Sequence, residues 1–180
     1  MKRREFIKLS AVAGGSLLAS NWLLETEVAS AASNEIASKN GILQLTLVAD
    51  AKLIKYGNSS RWAMTYNGVF PAPTLRANPG DTLKIKLVNK LNQATNLHTH
   101  GLHVSPAKNS DNPLVMVAPG ESFDYEIKIP LTQKSGTFWY HPHHHELSAG
   151  QVASGLAGVL VVGDALDQKP VIKNSTERII

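Results

Sequence analysis

The sequence contains no cysteine, and this absence excludes several classes of chemistry. None of its 180 residues is a thiol, so the chain forms no disulfide, Fe–S cluster, zinc ribbon or cysteine nucleophile. A blue-copper centre is excluded as well, because its trigonal site requires a thiolate ligand. Charged residues make up only 18% of the chain, and its lysines and arginines form no basic run interleaved with aromatics. Nucleic-acid binding is therefore not indicated.

Long hydrophobic runs are also absent, so we expect no membrane span. The apolar stretch near the N-terminus, Leu9–Ala19, is well short of the roughly 20 residues that a membrane-spanning helix needs. It lies between basic residues at 2–4 and the small residues 29–31, the arrangement typical of an export signal. We expect residues 1–31 to be such a signal. An amphipathic N-terminal helix is the competing interpretation.

The basic residues at the N-terminus resemble a known export signal. The run Arg3-Arg4-Glu5-Phe6-Ile7-Lys8 is similar to the twin-arginine signal, with Lys2 where Ser or Thr is usual. That resemblance implies export of an already folded protein, often with its cofactor bound. It also implies a periplasmic or extracellular location.

Alternation of apolar and polar residues predicts strands along the rest of the chain. A period of two recurs over 43–47, 83–87 and 123–129, as in strands with one buried and one wet face. The apolar stretch 155–162, rich in small residues, suits a strand buried on both faces. Turn signals of Gly, Pro and Asn separate these runs. About seven to nine short strands at this spacing predict an all-β fold, a Greek-key β-sandwich or barrel.

Six of the seven histidines lie in two clusters, 98–100 and 141–145. Residues two apart on a strand project from one face with Cα atoms roughly 6.5 Å apart. Each His-x-His pair can therefore direct its imidazoles at one metal ion or at two adjacent ions. Pro142 cannot donate a ladder hydrogen bond, so its strand is an edge strand or ends there. Imidazoles without a thiolate favour copper, zinc, iron or nickel.

A structural interpretation of the histidines competes with metal binding. One His-x-His pair in a β protein is more often a pair of surface residues, and the run 143–145 is also typical of a tag. The two pairs, however, are about forty residues apart on different predicted strands. The second pair also follows the aromatic strand 138–140 directly. These features favour a metal site.

Several longer motifs resemble the first cupredoxin domain of multicopper oxidases. They occur in the family's order and spacing across roughly residues 40–165, and they are WAMTYNGVFPAPTL at 62–75, PGD at 79–81, HTHG at 98–101, GTFWYHPH at 136–143 and GLAG at 155–158. The resemblance implies a cupredoxin-type (plastocyanin-like) Greek-key sandwich. It also implies the family's activity, in which a phenol, metal ion or similar donor is oxidised at a type 1 copper. The electrons pass to a trinuclear copper cluster that reduces dioxygen to water.

The same resemblance implies roles for individual histidines. His98 matches the position of a type 2 copper ligand, whereas His100, His141 and His143 match type 3 copper ligands. His145 matches a further histidine of the motif that does not bind copper directly. The expected cofactor is therefore copper, in type 2 and type 3 sites.

For four nearby residues the resemblance does not assign a single role. Asp111 follows the first motif where relatives carry an acidic residue that relays protons to the cluster, but a turn-forming Asx residue would look the same. Glu146 stands where Gly is usual and adds a carboxylate that could alter proton supply. His144 has no assigned place, and for His103 we expect a polar loop residue.

Because it has no cysteine, this chain cannot provide a type 1 copper site. In the family, a last cupredoxin domain carries a His-Cys-His motif that binds type 1 copper and completes the cluster. We therefore expect a signal over 1–31, a cupredoxin-like domain over 40–165, and over 166–180 a linker and the start of a missing domain. The chain would be a fragment, inactive alone and completed by a C-terminal cupredoxin domain or chain, or by self-association. Its electron donor stays open.

Other functions are compatible with the same residues. The chain could be a stand-alone exported copper- or zinc-binding module without turnover. It could also be a structural β-sandwich with vestigial ligands. A hydrolytic zinc site needs only three protein ligands and an open position, but Glu146 and Asp111 are the only candidate general bases.

Overall fold

Two β-sheets make up the part of the chain that the structure, a computed structural model, describes, residues 35–164. The strands are β1 (Glu35–Ala37), β2 (Ile42–Tyr56), β3 (Ser59–Tyr66), β4 (Thr74–Ala77), β5 (Thr82–Asn89), β6 (His98–His100), β7 (Ser122–Lys128), β8 (Gly136–His141) and β9 (Gly158–Val162). A short helix, α1 (Ser148–Ala153), lies between β8 and β9. The five-stranded sheet has the order β1-β4-β9-β8-β6, and the four-stranded sheet has the order β3-β2-β5-β7. The predicted all-β fold, a Greek-key β-sandwich, is confirmed, with one short helix in addition.

The alternating sequence of β5 explains its central place in the four-stranded sheet. Leu83, Ile85 and Leu87 are buried and the lysines between them are exposed, as the period of two predicts. Leu83 is paired with Leu43 in the parallel strand β2 and with Ile127 in the antiparallel strand β7. Each fully buried Leu or Ile side chain contributes about 1.5–3 kcal/mol to folding. This row of aliphatic side chains forms one wall of the core.

Helix α1 is an element that the sequence does not predict. Its six residues are too few to show a helical period. Its buried residue Gln151 ties it to the loop before β6, donating from Nε2 to the Ala94 carbonyl (2.7 Å) and accepting at Oε1 from the Thr95 hydroxyl (2.8 Å). The strand expected over 155–162 consequently begins only at Gly158.

Packing between β8 and β9 determines which way the aromatic strand faces. Tyr140 is fully buried, and its hydroxyl donates to the Pro73 carbonyl (2.6 Å). It lies so close to Gly158 that a Cβ there would be only 2.1 Å from the tyrosine ring. Because side chains alternate along a strand, Tyr140 in the core directs Trp139 and His141 to the opposite face.

The predicted signal over 1–31 and the predicted linker over 166–180 lie outside the described residues. Within residues 35–164, no helix has the length and apolar character required to cross a membrane.

Candidate metal centre

The two histidine motifs meet because β6 pairs with β8 at the edge of the five-stranded sheet. In the antiparallel register, His98 lies opposite His141 and His100 lies opposite Trp139. Alternation places these four side chains on one face. Residues 41 positions apart in the chain are thereby brought into contact.

Three imidazoles converge closely enough to share a metal ion. One ring nitrogen from each of His98, His100 and His141 lies within 4.8 Å of the others. The nearest pair is His100 Nδ1 and His141 Nε2, 3.3 Å apart. His98 is partly buried, His100 is exposed and His141 is buried, so the group lies at the surface with one side open.

The fourth predicted ligand, His143, lies beside this group rather than within it. Its ring centroid is 5.1 Å from that of His98 and 6.3 Å from that of His141. The residue follows the end of β8 and is exposed. Pro142 ends the strand there, as expected, so that His143 lies beyond the last rung of the ladder.

Asp111 lies behind His98. Its Oδ1 is 3.0 Å from His98 Nδ1 and accepts the Thr99 backbone N–H (3.2 Å), while its Oδ2 accepts the Thr99 hydroxyl (2.9 Å). The carboxylate is buried. A bond of this kind holds the proton on Nδ1 and leaves Nε2 free as a ligand. The Asx turn considered for Asp111 is instead made by its neighbour Asn112, whose Oδ1 accepts the Leu114 N–H (3.0 Å).

His141 is held by the backbone. Its Nδ1–H donates to the Pro142 carbonyl oxygen (2.7 Å), which leaves Nε2 facing the other imidazoles. Burial lowers the pKa of His141, the hydrogen bond to Pro142 opposes this, and the neighbouring imidazoles lower the pKa further. A lowered pKa keeps the ring neutral near pH 7, which is the form that binds a metal ion.

Two supporting residues at the centre were not found from the sequence. Asn96 is fully buried; its Oδ1 accepts the His143 backbone N–H (2.6 Å) and its Nδ2 donates to the carbonyls of Pro113 (3.1 Å) and Val115 (3.0 Å). Trp139 stacks on the rings of His100 and His141, two of the candidate ligands. Each residue lies two positions before a motif histidine, and Trp139 belongs to the motif GTFWYHPH, but neither position by itself indicates a supporting role.

The remaining histidines and Glu146 lie at the periphery. His103 is an exposed loop residue whose backbone N–H donates to Gln133 Oε1 (2.9 Å). His144 Nδ1 hydrogen-bonds to the His145 carbonyl oxygen (2.9 Å). Glu146 is exposed and has a φ of 64°, a left-handed conformation that explains why glycine suits this position.

The donor set fits copper. Nδ1 of His98 faces the Asp111 carboxylate and Nδ1 of His141 faces the Pro142 carbonyl, so Nε2 is the nitrogen that each ring can offer to a metal ion. Neutral imidazoles suit copper as well as zinc. The exposure of His100 and His143 leaves room for further ligands from outside this domain.

Comparison with known proteins gives a consistent picture. A family model described as multicopper oxidase matches residues 48–167. The multicopper oxidase mco of Staphylococcus epidermidis is 39% identical over 127 residues, covering 70% of this chain and 28% of that protein. Copper resistance protein A of Escherichia coli is 32% identical over 174 residues, covering 93% of this chain and 26% of that protein.

Solved structures agree with these sequence matches. A multicopper oxidase from Campylobacter jejuni, described as a metallo-oxidase, superposes with a TM-score of 0.63 at 37% identity. The match covers 69% of this chain and 26% of that one. A multicopper oxidase from Pseudomonas thermotolerans gives a TM-score of 0.59 at 36% identity, with coverage of 67% and 29%. The chain thus spans less than a third of the length of each of these four relatives.

Proposed function

Because the chain belongs to the multicopper oxidase family, we propose that its cupredoxin-type domain supplies half the ligands of a trinuclear copper cluster that reduces dioxygen to water. His98 is assigned as a type 2 copper ligand, and His100, His141 and His143 as type 3 copper ligands. The observation that supports this proposal is the convergence of three imidazoles within 4.8 Å at an open sheet edge.

Copper bound at this centre would supply the redox chemistry that passes electrons to dioxygen. The electrons would come from a donor such as a phenol or a metal ion. Because the 180 residues include no cysteine, the type 1 copper that accepts those electrons would be bound by other residues. Another cupredoxin domain, in a separate chain or in a longer protein that contains this one, would bind it and provide the remaining cluster ligands. Self-association of this chain would bring a second set of histidine pairs but no thiolate.

Asp111 is assigned as a proton relay. Its Oδ1 lies 3.0 Å from His98 Nδ1, close enough for a proton to pass between the two atoms. Reduction of dioxygen to water consumes protons, and this pair can hold one beside the site.

The proposed function includes export of the domain in its folded state. The twin-arginine-like residues near the N-terminus support a periplasmic or extracellular location. Copper would then be bound by a domain whose histidines were brought together by folding.

Copper titration and complementation test this function. The full chain is titrated with Cu²⁺ alone, its absorption spectrum is recorded, and a cupredoxin domain carrying a His-Cys-His motif is then added while dioxygen consumption is measured. We expect copper binding without an intense blue band, followed by oxidase activity only in the mixture. His98→Ala and His100→Ala should abolish that activity, whereas His103→Ala should not. Stoichiometric copper binding without any restored activity would favour a stand-alone binding module instead.

A further inference from the structure

Trp139 contacts two of the candidate ligands through the face of its indole. Its ring centroid is 3.9 Å from that of His141 with an interplanar angle of 24°, and 5.1 Å from that of His100 with an angle of 29°. Both arrangements are stacked. The indole is 37% exposed, so it forms part of the accessible surface of the centre as well as its support.

The position of Trp139 is fixed by strands on both sides. Its backbone lies in β8 between His100 of β6 and Val159 of β9. Alternation along β8 places the buried Tyr140 in the core and so keeps the indole on the histidine face. The backbone of Trp139 is therefore held on both sides, and its indole faces the imidazoles of His100 and His141.

The three converging imidazoles are not held in the same way. His98 has the carboxylate of Asp111 and His141 has the carbonyl of Pro142. In the described part of the chain, the polar contact of the His100 ring is with His141 itself (3.3 Å), and no carboxylate or carbonyl orients it. The indole face takes the place of that missing partner.

We propose that Trp139 is a positioning residue that holds the His100 and His141 rings in the orientation needed to bind metal. This inference rests on the proposed function of the centre as a copper site. Stacking restricts rotation of both rings about their side-chain bonds. An imidazole that has bound a cation is electron-poor, so its attraction to the indole face increases on metal binding. The contact therefore favours the metal-bound arrangement over the free one.

The first test compares the Cu²⁺ affinity of variants that carry side chains of different shape at position 139. Trp139→Leu removes the flat aromatic face, and Trp139→Phe retains a smaller one. Titration of the full chain with Cu²⁺ should show about 10- to 100-fold weaker binding for the leucine variant, the loss typical when a group supporting a ligand is removed. The phenylalanine variant should recover much of that loss. Trp62→Leu is the control, because Trp62 is 75% exposed on β3, and it should bind as the wild type does.

A metal-free measurement tests the ordering of the two rings separately from copper binding. In NMR spectra of the metal-free chain, the carbon-bound ring protons of His141 and His100 should be shifted upfield by the indole. The shift should disappear in Trp139→Leu and partly return in Trp139→Phe. Far-UV circular dichroism verifies that the variants are folded.

The possible outcomes separate the two proposals. Unchanged ring-proton shifts in the leucine variant, or equal copper affinity in all three proteins, would overturn the positioning role. If the wild type binds no copper, the proposed function fails, and the NMR comparison still decides whether Trp139 orders the two rings.

Discussion

His98 and Asp111 are joined through Nδ1 and Oδ1 at 3.0 Å, although they are 13 positions apart in the chain. The same carboxylate accepts two hydrogen bonds from Thr99. One buried side chain thus links an edge strand to the loop that follows it. It also sets which nitrogen of His98 faces the other imidazoles, so we expect stability and the proposed metal binding to be coupled at this point.

Asp111→Asn tests that coupling. An amide keeps the shape of the carboxylate, but its NH₂ group cannot accept a bond from Thr99 or His98. A buried donor then lacks a partner, and we expect a loss of about 1–3 kcal/mol in the free energy of unfolding. Urea denaturation measures this loss, and Cu²⁺ titration should show weaker binding. Asp124→Asn, whose side chain is exposed, is the matched control, and equal effects from both variants would contradict the prediction.

Asn96→Ala should disturb His143 specifically. The variant loses the oxygen that accepts the His143 backbone N–H and the amide that donates to the carbonyls of Pro113 and Val115. We expect a destabilisation of about 1–3 kcal/mol, because partly buried backbone groups are left unpaired. NMR should show displaced His143 resonances. Asn92→Ala at an exposed position should change neither quantity, and an undisturbed His143 in Asn96→Ala would count against the assigned contact.

Gly158→Ala should be strongly destabilising for a purely steric reason. The added Cβ would lie 2.1 Å from the ring of the buried Tyr140, and overpacking of this kind costs about 1–3 kcal/mol or more. Gly150→Ala in α1 is the control, since nothing lies within 4 Å of a Cβ there. Alanine should stabilise that helix position by about 0.5–1 kcal/mol. Thermal denaturation of the two variants should therefore shift in opposite directions.

Glu146→Gly should stabilise the protein. At a φ of 64°, a side chain with a Cβ is strained by about 1–2 kcal/mol, and glycine removes that strain at some cost in chain entropy. Glu146→Ala removes the carboxylate but keeps the Cβ. Denaturant unfolding should rank Glu146→Gly above Glu146→Ala by up to about 1 kcal/mol, and the reverse order would show that the backbone is not strained there.

The elements predicted from the sequence are those with a strong local signal. Alternation located β2, β5 and β7, because a half-buried strand needs an apolar side chain at every second position. It also placed His98 and His100 on one strand face. Helix α1 left no such pattern, since six residues are too few to show a period and its principal anchor is a polar side chain, Gln151.

For Asp111 the local sequence was compatible with two roles. An aspartate beside asparagines and a serine is typical of a turn, and nothing nearby indicates that its carboxylate reaches back to β6. The structure shows the contact with His98, while Asn112 makes the turn. For Trp139, too, the local sequence indicates only a position on an aromatic strand. Its stacking on His100 depends on a partner strand that is far away in the chain.

Composition and a period of two, which are local properties, define the chemistry available to this protein: imidazoles in pairs, no thiolate, and strands with one buried face. Which imidazoles converge, which nitrogen each presents and which residues support it are properties of the assembled fold. Those features depend on the register of β6 against β8 and on the packing of Tyr140 against Gly158, and such long-range pairings arise only when the whole core assembles.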